Sequence, residues 1–177
     1  MTASATEPLQ ARLGYAVDSK LLILNADDVG LAHAEDAATF EALDHKFVTS
    51  ATAMVPAPWF TEVAAYANAH PAADLGLHLT LTSEWRDYRW GPVSSRAVGS
   101  LTGPDGAFFA TAREFAGHAR LVDRDDAELQ AITVDHPEWG AAWRQRDFDT
   151  ISSVEFRNAL RDNHIVLIGW RDIQKVM

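Results

Sequence analysis

The chain has 177 residues, 47% of them hydrophobic and 23% charged, enough for one domain with a real core. Its formal net charge is −10, and no Lys/Arg cluster offsets a surface that would repel a phosphate backbone, which argues against nucleic-acid binding. The absence of cysteine removes disulfides, thiolate metal sites and cysteine nucleophiles, so any metal ligands must come from Asp, Glu and the seven histidines.

No stretch approaches the roughly 18 apolar residues of a membrane span, and residues 1–20 carry no apolar signal core, which points to a cytoplasmic protein. Residues 1–19 read as a loosely ordered arm with room for a short helix, and 20–177 as a single α/β domain. The aliphatic run Leu21–Leu24 predicts a buried strand over 21–25, since four bulky side chains in a row leave no polar face. AEDAATFEALDH, 34–45, has apolar residues at helical spacing. FVTSATAMV, 47–55, is rich in β-branched residues and predicts the second strand. Pro56 and Pro58 end it, and Pro58 suits the first turn of a helix over 59–69. Leu75 to Leu81 is the expected third strand, and the order β-α-β-α-β implies parallel strands with right-handed crossovers. Residues 83–109 form a long polar and aromatic loop. Thr111–Glu114 matches a capping box opening a helix to about Leu121, and Asp125–Gln130 looks like the start of another. Ser152–Glu155 is a second capping box, opening a helix to about Asn163, and Ile165–Ile168 is a closing buried strand.

In parallel α/β sheets and barrels, ligands gather at the carboxyl ends of strands. Asp27 and Asp28, in LNADDVG, follow the first strand. His78, in GLHLTLT, lies within the third. A divalent cation would relieve the repulsion between the two carboxylates and give the imidazole a reason to sit among apolar residues. An Asp-Asp pair after a strand is also an ordinary loop or helix cap, and a histidine in an apolar strand is often a core residue bonded to a backbone carbonyl. Trp85, Tyr88 and Trp90, in the loop that follows the strand of His78, could stack on the C–H face of a sugar ring, and Arg86 and Arg89 could bind hydroxyls or a carboxylate. The alternative for each is a packed surface loop.

The stretch LLILNADDVGLAHAEDAATFEALDHKFVTSATAMVP followed by GLHLTLT resembles the YdjC-like carbohydrate deacetylase family, which includes chitooligosaccharide deacetylases. The match runs through about residues 20–82, and DHPEWGA, 135–141, and 152–174 resemble the family's closing segment. The resemblance implies an irregular (β/α) barrel of the polysaccharide-deacetylase-like type and a metal-dependent hydrolase that removes acetyl groups from N-acetylated amino sugars. It implies Asp28 and His78 as ligands of a divalent ion (Mg or Zn), Asp27 as general base and His136, before Pro137, as the acid for the leaving amine. Trp85, Arg86 and Trp90 then become candidates for holding the sugar. His136 also reads simply as a turn residue before proline.

The family's third metal ligand comes from a T-H-x-D-S-H motif that this sequence lacks. The chain is also short beside a full (β/α) barrel, typically about 250 residues, so the expected domain is incomplete or shortened, with an internal deletion near Ala131. His136 or His33 could replace the third ligand. His45, His70, His118 and His164 read as solvated. A sheet without its middle exposes edges that favour a homo-oligomer. The competing reading is a non-catalytic sugar- or metal-binding remnant. A receiver-like signalling domain also places an acidic pair after its first strand, but it leaves His78 and the late His-Pro unexplained.

Overall fold

The structure, a computed structural model, describes residues 7–93, 98–118 and 141–177. After a short helix α1 (Leu9–Arg12) come β1 (Lys20–Leu22), β2 (Asn25–Val29), α2 (His33–Asp44), β3 (Ser50–Ala53), α3 (Phe60–Ala69) and β4 (Leu75–Leu77). Then follow α4 (Ala112–His118), α5 (Ala141–Ser152), α6 (Val154–Asp162), β5 (Ile165–Leu167) and α7 (Trp170–Gln174). Every strand pairing is parallel: β1 with β5 in one sheet, and β2-β3-β4 in the other. The expected parallel α/β architecture is therefore observed, but no closed barrel exists among the described residues.

The single first strand expected over 21–25 is two strands. β1 pairs outward with β5, Leu22 opposite Leu167, and β2 pairs with β3 from Asn25 opposite Ser50. The switch occurs at Leu24, whose carbonyl accepts the N–H groups of both Thr49 and Ser50 while its own N–H donates to Thr49 Oγ1 at 3.0 Å. β1 is half-buried rather than buried, with Lys20 exposed and Leu21 and Leu22 partly covered. The sequence ends the first strand before the aspartates, whereas β2 runs through them.

Two apolar clusters hold the described core. In one, Val29, Ala51, Ala53 and Val63 pack with the flanks of α2 (Phe40, Leu43). Alanines at 51 and 53 let α3 approach the sheet closely enough for Val63 to be 2% exposed. Phe40 stacks on Tyr66 at 4.1 Å, and the Tyr66 hydroxyl donates to Asp44 at 2.7 Å, bracing α2 against α3. In the other, Leu31 and Met54, which follow β2 and β3, meet Trp90 and Phe108 from the long loop. That loop thus folds over the carboxyl ends of the strands. It is pinned where Ser83 Oγ accepts the Trp90 N–H and Arg89 donates to the Phe108 carbonyl.

α5 has no counterpart in the sequence reading, and its last residue, Ser152, moves the following cap by one position. Ser153, not Ser152, caps α6, accepting the Phe156 N–H at 3.0 Å. α7 sits at the opposite end of the sheet from the long loop: the Arg171 N–H donates to Asp74, just before β4, at 3.0 Å.

Candidate functional site

Between β2 and β3 the register slips. Ala26 faces Ala51 and Val29 faces Ala53, so Asp27 and Asp28 together oppose the single residue Thr52. This is a β-bulge, uncommon between parallel strands, and bulges re-aim side chains next to functional sites. Asp28 takes the left-handed conformation, φ 58°, which a non-glycine residue adopts at a cost of about 1–2 kcal/mol. The twist turns the Asp28 carboxylate and N–H toward β4. His78 lies one residue beyond β4, not within a longer third strand as expected, and its N–H extends the ladder by donating to the Ala53 carbonyl.

The structure therefore brings Asp28 and His78 together. Asp28 Oδ1 is 3.4 Å from His78 Nε2, with both side chains partly shielded. The other ring nitrogen, Nδ1, lies 3.2 Å from Thr52 Oγ1 and 3.3 Å from the Asp28 N–H, which points at it. Thr52 Oγ1 also lies 3.5 Å from the Asn25 amide nitrogen. Thr52 escaped the sequence reading. The signal was available: with Ala51 and Ala53 turned to the core, period-two alternation sends the hydroxyl between them to the other face.

Asp28 and His78 line a cleft of about 150 Å³ with Leu31, Met54, Thr80, Thr82, Glu84, Trp85 and Trp90. The expected sugar-binding residues divide. Trp85, 39% exposed, stands at the cleft with a free face. Trp90 is 6% exposed and packed in the core with Leu31 and Met54, so it forms a wall. Arg86 is exposed and not among the lining residues, and Tyr88 donates to the Leu31 carbonyl at 2.8 Å. Asp27 is exposed and is not a lining residue. His33 opens α2 and is held elsewhere: Nδ1 is 3.0 Å from both Glu62 oxygens and the ring lies over Trp59. The Glu62 carboxylate raises the His33 pKa. His136, the DHPEWGA segment up to Gly140, the helix start at 125–130 and the junction near Ala131 lie outside the described residues.

A carboxylate oxygen and an imidazole nitrogen 3.4 Å apart can share one cation with bonds of roughly 2.0–2.2 Å each. The Asp28 N–H donates to Nδ1, so the neutral ring carries its proton on Nε2, facing Asp28 Oδ1; use as a metal ligand would need that proton moved to Nδ1, where Thr52 Oγ1 at 3.2 Å would accept it. No cluster of three His, Asp or Glu side chains suited to a metal ion occurs among the described residues.

These features define a parallel α/β domain with a carboxylate–imidazole pair in a cleft at the carboxyl ends of its strands. The chain belongs to the YdjC-like protein family, whose model matches residues 21–131. It is 43% identical over 63 residues to a chitooligosaccharide deacetylase of Serratia marcescens, covering 36% of this chain and 25% of that protein. It is 32% identical over 123 residues to a carbohydrate deacetylase of Thermus thermophilus, covering 70% of this chain and 41% of that one. A solved structure from Enterococcus faecalis V583, assigned provisionally to cellobiose-phosphate cleavage, shares 33% identity and a TM-score of 0.44, over 57% of this chain and 41% of its own. The chain thus spans less than half the length of these relatives.

Proposed function

We propose that this chain is a metal-dependent hydrolase that removes acetyl groups from N-acetylated amino sugars or oligosaccharides, built on a shortened irregular (β/α) barrel. The approach of Asp28 to His78 at the cleft carries the reading. The deacetylase names of its relatives supply the substrate class.

A divalent cation, magnesium or zinc, would supply Lewis-acid polarisation of the amide carbonyl and a water of lowered pKa. Asp28 and His78 would hold it. Asp27, beside them in the bulge, would take the proton from the attacking water. His136 would return a proton to the departing amine. Trp85 would offer its exposed ring to the apolar side of a pyranose, and the packed Trp90 would shape the wall behind it. Arg86, at the rim of the loop, would reach an outer hydroxyl.

A second reading has its own support. The T-H-x-D-S-H motif is absent from the sequence, as an internal deletion near Ala131 would leave it. A domain left with two ligands would bind a sugar or a metal without turning over.

The substitutions Asp28→Ala and Asp27→Asn test the assignment, using calorimetric metal titration beside acetate release from N-acetylglucosamine oligomers. Asp28→Ala should lose metal affinity sharply. Asp27→Asn should keep it and lose rate by about 10²–10⁴-fold. Equal loss of metal binding in both would make the pair a joint ligand. A wild type that binds metal but releases no acetate would establish the non-catalytic reading.

A further inference from the structure

α2 carries a carboxylate that the chemistry above does not use. Asp36 is 0% exposed, its Oδ1 accepts the Gly30 N–H at 2.6 Å, and its Oδ2 is buried without a hydrogen-bond partner among the described residues. Gly30 ends the turn that leaves the Asp27–Asp28 bulge. It is gripped from three sides. Its N–H is held by Asp36, its carbonyl accepts the Trp59 N–H at 2.9 Å, and its φ of +102° puts the place of a Cβ 3.2 Å from the Met54 carbonyl. Upstream, Ala26 is locked opposite Ala51. Downstream, Val29 is paired opposite Ala53, so only Asp27 and Asp28 lie between paired positions, and Gly30 follows at once.

We propose that Asp36 is a positioning residue: by holding the Gly30 N–H it fixes the turn directly after the bulge and so helps aim Asp28 at His78. The proposal rests on the reading of Asp28 and His78 as a working pair. A left-handed aspartate persists only where its surroundings over-determine it. The ladder leaves only two residues between Ala26 and Val29, and the grip on Gly30 fixes how the chain leaves, so Asp28 has little slack to relax into an ordinary strand conformation.

The cost of Asp36 points the same way. A buried carboxylate with one oxygen unpaired is expensive, and an apolar side chain would fill this face of α2 more cheaply. Burial pushes its pKa up to about 6, against the opposing pull of the Gly30 hydrogen bond. An acidic residue in the first turn of a helix also gains from the helix dipole, by about 0.3–2 kcal/mol, but an exposed first-turn carboxylate can gain from the dipole without being desolvated. What the carboxylate uniquely supplies here is an acceptor at the Gly30 N–H.

The test compares Asp36→Asn, which keeps an acceptor oxygen, with Asp36→Leu, which fills the space without one. Two readouts are taken on the folded chain: the His78 ring ¹⁵N shifts by NMR, and the affinity for zinc alone by calorimetry. Asp36→Leu should shift the His78 ring resonances and weaken zinc binding by about 10–100-fold, while Asp36→Asn stays within about threefold of wild type. If Asp36→Leu does not fold, Asp36→Ser, too short to reach Gly30, takes its place with the same readouts. A folded variant without the acceptor but with wild-type ring shifts and wild-type zinc affinity overturns the proposal. If the wild type binds no zinc, the metal reading fails, and the ring shifts alone decide whether Asp36 positions the pair.

Discussion

At the scale of single residues, the groups proposed to react were the legible part. An acidic pair after an aliphatic run and a histidine in GLHLTLT stand out because each is costly where it sits. Their supporting residues did not stand out. Thr52 and Asp36 look like ordinary strand and helix residues until the register and the α2 face are known. Asp36 nonetheless leaves a mark in solution. Its folded-state pKa, about 6, lies above the ordinary 3.8, because burial outweighs the Gly30 hydrogen bond, with Glu62 adding to the rise and His33 opposing it. The raised value means that its protonated form favours folding below pH ~4, and that this contribution is lost as pH rises through ~6, on the order of 2–3 kcal/mol at most. Relative to wild type, Asp36→Asn should therefore gain stability between pH 4 and pH 7, as measured by urea unfolding across that range. A difference between the two proteins that stays constant with pH would show that Asp36 titrates normally.

At the scale of elements, type was legible and extent was not. α2 and α3 appear within a residue of their expected limits, since their apolar spacing is read directly against the sheet. The strands are shorter than expected. Apolar runs such as Leu75–Leu81 continue past the last hydrogen-bonded pair, and periodicity alone does not say where a partner ends. The cap of α6 shows the same limit. Ser152 and Glu155 have capping-box spacing, but Ser152 still belongs to α5 and its hydroxyl donates to the Phe148 carbonyl. Ser153→Ala should cost about 1 kcal/mol in urea unfolding, and Ser152→Ala much less. Equal costs would mean that the start of α6 lies one residue earlier.

At the scale of the whole molecule, the outer edge of β4 has no partner strand among the described residues, and its end and the chain just beyond expose apolar side chains: Leu77 is 61% and Leu79 83% exposed. Such an edge is a template for another chain. The protein should elute larger than its 19.4 kDa in size-exclusion chromatography with light scattering, and Leu79→Asp should shift it toward the monomer. A wild type that runs as a stable monomer would show that this edge is not an association surface. The overall class was readable because β-α-β order fixes strand direction. The division into two sheets was not, because it turns on the backbone of Leu24 rather than on any side-chain pattern.

The bulge also makes this strand sensitive to length in a way the loops are not. Ala26 and Val29 are three positions apart, yet both reach the same cluster around Ala51 and Ala53. A strand counts its faces in twos, so the extra aspartate is an odd step that brings Val29 back to the face of Ala26. Deleting Asp27 would heal the ladder like the removal of a dislocation from a crystal row, giving a more regular sheet. The same repair would erase the turn that lifts a carboxylate toward β4, so here a flaw in the pattern and the capacity for chemistry are one object.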